Sequence, residues 1–396
     1  MYEDSSFTGA KALGKLSGYQ ESELDSTFEW VRTSQVVSES SPSSSVKEDV
    51  PPMRLFQGKI EPADVCQGAV GDCWLIAAFA CLAEFPGAIQ KVFVTREQNS
   101  RGKYIIRLYD AIAEQWVRVT VDDTVPRKKG ESGAFFVQPN GNELWVVLLE
   151  KAFAKFCGSY QALDGGQVVW AWQALTGDNV LELHLNQQGE WVRKDVVYPK
   201  ERDERNRRAI RYRVSDEKFD DETVFKMLKQ YNAQRSVMAG AITSGAGEVK
   251  HENVGLVAGH AYSIIEVVEV SSIKLLQLRN PWGSFEWKGD WSDNSTKWQE
   301  HPDIKTSLAF EPKDDGTFWM SYTDFCKHYN RVYICDRTAD DDLRLDIRED
   351  EGCLGPTKGC VTGCCRFWCC CQGCCTIFCG HVSSKESVEV KRCGLC

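Results

Sequence analysis

QGAVGDCWLIAA, from Gln67 to Ala78, sets a cysteine between an aspartate and a tryptophan, where a glycine-bearing loop gives way to an apolar run. The run continues through FACLAEFPG and places Trp74, Ala77, Ala78, Cys81, Leu82 and Phe85 at helical spacing, with Pro86 and Gly87 to end it. The pattern predicts a helix whose first turn carries Cys73. Free cysteines are commonly buried and inert, so a small hydrophobe in a core helix is the plain reading. Its position argues for more. Unpaired N–H groups and the dipole at a helix start stabilise a thiolate, and Gly71 lets a substrate approach the backbone closely. Gln67 lies six residues upstream on the same loop. Its amide and the Cys73 N–H are a candidate donor pair for a developing oxyanion.

A cysteine nucleophile needs a base, and the base needs a group to orient it. The chain has six histidines: His184, His251, His260, His301, His328 and His381. Only His260 sits in an apolar strand, VAGHAYSII, where a buried imidazole requires polar partners. Asn280 closes the strand LLQLRN twenty residues later and precedes Pro281 and Trp282. A hairpin turning near Val270 would set His260 and Asn280 on adjacent strands. A turn at Ser271-Ser272 would offset them by three positions. An Asn amide accepts from imidazole and fixes its tautomer, and Trp282 could shield that bond from water. Taken singly, each is an ordinary core histidine or turn asparagine. Together with Cys73 and Gln67 they make the Cys, His, Asn order of papain-like chemistry.

Other patterns organise the chain around these residues. KYIIRLYDA and QWVRVTVDD read as strands, and NELWVVLLEKAFAKF as an amphipathic helix with Trp145, Leu148, Leu149, Ala152 and Phe156 on one side. SVMAGAIT, GLVAGHAYSIIEVVEV, IKLLQLRNPW and RVYICD read as strands, interrupted by one helix at about Asp221–Tyr231. The first half is thus helical around Cys73 and the second mostly antiparallel β, with the seam near Glu190. SESSPSSS, Ser38–Ser45, reads as a low-complexity linker, and the globular body is expected from about Met53 to Asp336. ERDERNRRAIRYR, Glu201–Arg213, reads as a solvated loop.

The net charge is -10 and the pI about 5.3, which argues against a nucleic-acid partner. No stretch reads as a signal peptide or as the run of about 18 apolar residues that spans a bilayer. The expected location is the cytoplasm. Of 18 cysteines, six are scattered through the body, at 66, 73, 81, 157, 326 and 335, and twelve lie between Cys353 and Cys396. A secreted disulfide framework would spread its pairs; this distribution reads as a reduced body with a specialised tail. GCCRFWCCCQGCCTIFCG, Gly363–Gly380, mixes cysteines with Phe367, Trp368, Ile377 and Phe378. S-acylation, and with it a membrane surface as partner, is the favoured reading. Thiolate binding of zinc or copper(I) competes, through the Cys371–Cys374 pair, though no second spaced pair completes a frame. The terminal Cys393-Gly394-Leu395-Cys396 matches a prenylation box only loosely. A disordered, oxidation-prone tail is the plain alternative.

The stretches DVCQGAVGDCWLIAA, ELWVVLLEKAFAKFCGSYQALDGG, GLVAGHAYSII, LRNPWGSFEWKGDWSD and FWMSYTDFCKHYNRVYICD, in this order, resemble the calpains, calcium-dependent cytosolic cysteine proteases, over roughly residues 28–336. The resemblance implies an α+β, two-lobed papain-like core with a helical Cys lobe and an antiparallel β His/Asn lobe. It assigns residues 1–27 to a flexible N-terminal segment, 28–190 to the first lobe, 191–337 to the second, and 338–396 to an acidic linker and Cys-rich tail. It makes Cys73 the nucleophile, His260 the base, Asn280 its orienter, Gln67 an oxyanion donor and Trp282 the tryptophan at the cleft. It further implies Ca²⁺ in each lobe: Asp64 and Glu150 in the first; Glu286, Asp293 and Asp315 in the second. Thr317 stands where the family has an acid, and Pro62 where it has an arginine; in the family those two pair across the lobes. The family's EF-hand loop has no counterpart. Protein substrates follow from the resemblance. The Pro62 and Thr317 departures keep a second class open, a catalytically idle scaffold that binds peptides at membranes. Amide transfer by the same Cys–His chemistry is a third.

Overall fold

The structure is a computed structural model. It describes residues 1–40, 53–58, 60, 62, 71–138, 142–198, 210–243 and 249–336, and the backbone alone at 37–40 and at Cys73. The loop bearing Asp64 and Gln67, the charged loop at 201–209, most of the SESSPSSS stretch and the tail from 337 lie outside the described residues.

In chain order the elements are α1 (Gly9–Leu13), α2 (Leu24–Thr27), β1 (Phe28–Arg32), α3 (Thr33–Ser40), α4 (Cys73–Ala83), α5 (Ala88–Val92), β2 (Lys103–Asp110), β3 (Gln115–Asp122), β4 (Thr124–Lys128), α6 (Trp145–Cys157) and α7 (Val168–Thr176). There follow β5 (Asn179–Leu185), β6 (Trp191–Val197), β7 (Arg211–Phe219), α8 (Asp221–Ala233), β8 (Val237–Ile242), β9 (Val249–His251), β10 (Leu256–Ala258), β11 (His260–Val270) and β12 (Ile273–Arg279). Helices α9 (Lys297–Glu300) and α10 (Pro302–Ser307), then β13 (Thr317–Ser321), α11 (Tyr322–His328) and β14 (Arg331–Asp336), complete it.

Helix α4 forms where the spacing of its apolar residues places it, but it is buried all round: every side chain from Trp74 to Ala83 is inside. An apolar helix of this kind needs cover on each face. Helix α7 provides part of it, and the Trp172 Nε1–H donates to the Ala78 carbonyl at 3.2 Å. Helix α6 departs from the expected one-sided pattern in the same way, for Glu150 and Lys151 are buried with its apolar residues. A buried ammonium requires strong acceptors. Lys151 Nζ finds Asp122, the Thr124 carbonyl at 2.6 Å and the Thr124 hydroxyl at 3.1 Å.

The second half is built on one antiparallel sheet in the order β13-β12-β11-β8-β14-β5-β6-β7. Helices α8 and α11 cover one face, where Phe225, Leu228, Phe325 and Tyr329 meet Tyr262, Ile264, Leu276 and Leu278. Helix α4 lies against β8 and β11, and α7 against β5 and β14. The sheet starts at Asn179, and Glu190 falls in the turn joining its own strands β5 and β6. The change from helical to extended pattern therefore comes before the seam expected near Glu190, because VLELHL already alternates.

The N-terminal segment also differs from expectation. Residues 1–27 are packed against the body, which starts well before Met53. Phe7, Leu13 and Leu24 are buried. The Asp4 N–H donates to Asp122 Oδ2 at 2.7 Å, Lys155 Nζ meets the Asp4 carboxylate at 2.6 Å, and the Tyr160 N–H donates to the Ala12 carbonyl at 2.8 Å. The segment is polar in sequence because its charged and polar groups are satisfied by partners far along the sequence.

Candidate active site

Helix α4 begins at Cys73, so the first-turn position expected for the nucleophile is the one observed. The backbone just before it is tightly held. Gly165 N–H donates to the Gly71 carbonyl at 2.9 Å, and a Cβ on Gly71 would stand 2.5 Å from Asp164 Oδ1. Trp74 lies flat on Gly166, where a Cβ would come within 2.2 Å of its ring, and its Nε1–H donates to the Leu163 carbonyl at 2.9 Å. ALDGG thus supplies the glycines that let this loop clasp the helix start.

Asp72, at the N-cap, gives its carbonyl to Leu75 and Ile76 N–H at 2.8 and 3.1 Å. Its carboxyl is buried beside that of Glu150, with which it shares a hydrogen bond when one of the two is protonated. Burial pushes it up to about 6. Glu150 is raised further, by burial first and then by the neighbouring Asp72 charge, while accepting from the Val137 N–H at 3.2 Å. Two carboxyls so placed resist ionising together.

The His260 side is a closed hydrogen-bond set. His260 Nε2 lies 3.0 Å from Asn280 Oδ1. Asn280 is fully buried; its Nδ2 donates to the Ser284 and Phe285 carbonyls at 2.8 and 3.0 Å, and its Oδ1 also accepts from the Trp282 N–H at 3.1 Å. Since Nδ2 is spent on carbonyls, Oδ1 faces the imidazole as acceptor, which makes Nε2 the protonated nitrogen. Trp282 tilts over His260 with ring centroids 4.7 Å apart and is 38% exposed, so one indole face meets solvent while the other covers the imidazole. Tyr262 packs edge-on against His260 at 5.2 Å, and its hydroxyl accepts from the Val257 N–H at 2.8 Å.

A β-bulge brings His260 and Asn280 to one face. The β11–β12 turn is at Ser271-Ser272, both with positive φ, and pairs Val270 with Ile273 and Val267 with Leu276. Continued without a break, that ladder would set Ser263 opposite Asn280 and leave His260 three residues away, on the other face. The register shifts between Ile264 and Glu266, so that Ile264 faces Leu278 and Ser263 faces Arg279. One extra residue restores the parity, and His260 and Asn280 become a diagonal pair within reach.

The two halves meet at a cleft of about 260 Å³. Trp74, Ala77 and Gln167 line one side; Thr243, His260 and Tyr333 line the other. Behind it, the Ser263 hydroxyl of β11 lies 3.0 Å from the Cys81 sulfur of α4. Burial drives the Cys81 thiol up to about 12, so it is inert beside Cys73. Among the described residues Cys81 and Cys326 carry free thiols.

The candidate calcium ligands are unevenly placed. Asp64 lies outside the described residues, and Pro62 is buried. Glu286 accepts from the Gly316 N–H at 2.7 Å, Asp293 from the Lys313 N–H at 2.7 Å and Asp315 from the Thr317 N–H at 2.9 Å. Burial raises Glu286 and Asp293, and the nearby Asp314 and Asp315 charges raise them further. Carboxylate oxygens suit Ca²⁺, yet among the described residues no three such side chains gather closely enough to hold an ion. Among the described residues no helix is long and apolar enough to cross a membrane.

Pattern reasoning passed over Tyr262, although it lies two residues from His260 and so shares its face, and read Asp72 only as a flank of Cys73. Lys250, whose ammonium stands near Trp282, carries no signal in the sequence.

Residues 2–336 match the family described as calpain family cysteine protease. The protein is 36% identical over 326 residues to the calpain-type cysteine protease ADL1 of Oryza sativa subsp. japonica, covering 82% of its own length and 13% of the relative's. It is 33% identical over 353 residues to the calpain-2 catalytic subunit of Mus musculus, covering 86% and 43% respectively. With the calpain of Schistosoma mansoni it shares 34% over 346 residues, covering 85% and 39%. It therefore spans less than half the length of these relatives. With the family's pattern running across the whole described body, the chain belongs to the calpain family of cysteine proteases.

Proposed function

We propose that the protein is a papain-like cysteine endopeptidase, its helical block and its large sheet acting as two lobes about the cleft. The observation that carries this reading is the buried His260–Asn280 bond under Trp282, at the mouth of a cleft shared with the helix that starts at Cys73. Asn280 holds Nε2–H, which leaves Nδ1 as the nitrogen that takes the Cys73 thiol proton. The thiolate attacks the scissile carbonyl carbon, and the oxyanion is received by the Cys73 N–H and the Gln67 amide. His260 then protonates the leaving amine, and water, activated by the same imidazole, hydrolyses the thioester.

No step is routed through Ca²⁺. The cation is what family likeness implies, with Asp64 and Glu150 as its first pair of ligands. Localisation in the cytoplasm, with anchorage through an acylated tail at 353–396, belongs to the same proposal and is tested by labelled palmitate incorporation with and without the tail.

The decisive measurement is casein digestion by the full-length protein, with Ca²⁺ and with chelator, beside Cys73→Ser. Turnover falling by about 10⁴-fold or more in the variant is expected. Equal absence of cleavage in both proteins would leave the idle scaffold. A crosslinked amine donor would make the reaction amide transfer.

A further inference from the structure

Lys250, on β9, stands beside Trp282, and the reaction above makes no use of it. Its Nζ lies 5.1 Å from the Trp282 ring and 5.2 Å from the Phe285 ring. Among the described residues these two rings are the partners of the ammonium. A cation over aromatic faces is held in place without being neutralised. Lys250 is exposed, as are its strand neighbours Val249 and His251, and it pairs with Val257 of β10, which leads directly into His260.

The chemistry says which half of a substrate this cation meets. His260 must deliver its proton to the leaving amine, so the substrate residues that follow the scissile bond lie beside the imidazole. Trp282 is the ring tilted over His260, and the Lys250 ammonium stands 5.1 Å from the centre of that same ring. An extended peptide advances about 3.3–3.6 Å per residue, so an ammonium one indole away reaches the first two residues past the cut.

We propose that Lys250 is a specificity-determining residue that selects an acidic side chain within two residues C-terminal to the scissile bond. The inference rests on the hydrolase reading of Cys73 and His260. An exposed ion pair of this kind gives a preference of up to about fivefold, and salt near 1 M screens it.

The test uses the full-length protein, Lys250→Arg and Lys250→Glu. Peptides are identical up to the cut and carry Asp or Glu, Ala, or Lys or Arg in the two positions after it. A matching fluorogenic amide has no residue after the cut. The expected order of kcat/KM for the wild type and Lys250→Arg is acidic over neutral over basic, flattening as salt rises. In Lys250→Glu the order reverses. If Lys250→Glu keeps the wild-type order, or all peptides fall together, Lys250 only steadies Trp282 and the inference is overturned. Cleavage of the amide without bias among the peptides overturns the inference alone. No cleavage of any substrate by the wild type removes the hydrolase reading and the inference with it.

Discussion

The two halves of the site are held by different forces. On the helix side, Cys73 is positioned by packing: α4 is surrounded by apolar side chains, the glycine-bearing loop at Asp164–Gly166 clasps its start, and the carboxyl at its N-cap is buried against that of Glu150. On the strand side, His260 is positioned by hydrogen bonds, and each polar atom of Asn280's side chain has its partner. Packing fixes where a backbone starts but not how a ring is turned. A directed acceptor fixes the tautomer and plane of an imidazole. The difference teaches that a nucleophile needs mainly a place, whereas a base needs an orientation.

The comparison is sharpened by changing one side at a time. Phe79 is fully buried in α4, with Phe153 at 5.6 Å and Trp145 at 6.4 Å. Phe79→Ala should cost about 3–5 kcal/mol, read as a lower urea midpoint. A small loss of stability would mean that hydrogen bonds carry this half too. Asn280→Ala should lower kcat by about 10²–10³-fold, since the base loses its orienter. A drop confined to stability, with turnover per folded molecule intact, would break the contrast from the other side.

Asp72→Asn is the smallest of the three. Burial raises the folded-state carboxyl above its unfolded value, so the native state binds the proton more tightly. Below about pH 4 both states are protonated and the residue costs nothing. Between about pH 4 and 6 the unfolded chain gives up its proton while the native carboxyl keeps it, so stability is lost across that window and the full cost of burying the charge stands above about 6. The Asn variant should therefore gain about 1–3 kcal/mol near pH 8, with the gain vanishing near pH 4. Unfolding midpoints across this range check the sign. A variant less stable at pH 8 would mean that the carboxylate has a donor.

Much of this was legible because periodicity reports burial. Helix α4, the β2–β3 hairpin and the strands that carry His260 and Asn280 were all readable in that way. The rest was hidden where neighbours distant in sequence decide. Asp4 looks like a solvated charge until Asp122 and Lys155 surround it. Glu150 and Lys151 look like the polar face of a helix, but that face is covered as well. The alternation in VLELHL went unread because His184 and Glu182 made it look polar; Glu182 is buried with Arg331 at 3.3 Å and Lys194 at 3.4 Å. The His260–Asn280 register stayed open between two turns, since Ile265 is one more apolar residue in SIIEVVEV and nothing in its type marks a bulge.

That bulge limits how the hairpin can vary. Residues added at the Ser271-Ser272 tip lengthen the loop and leave the ladder below it alone. A single residue gained or lost between His260 and the tip, or between the tip and Asn280, turns the imidazole and the amide away from each other. Length changes there survive only in compensating pairs, one on each strand or two on one. The odd residue at 265 is thus a counting constraint on the evolution and engineering of the site, and a library of one- and two-residue insertions would display it as alternating loss and recovery of turnover.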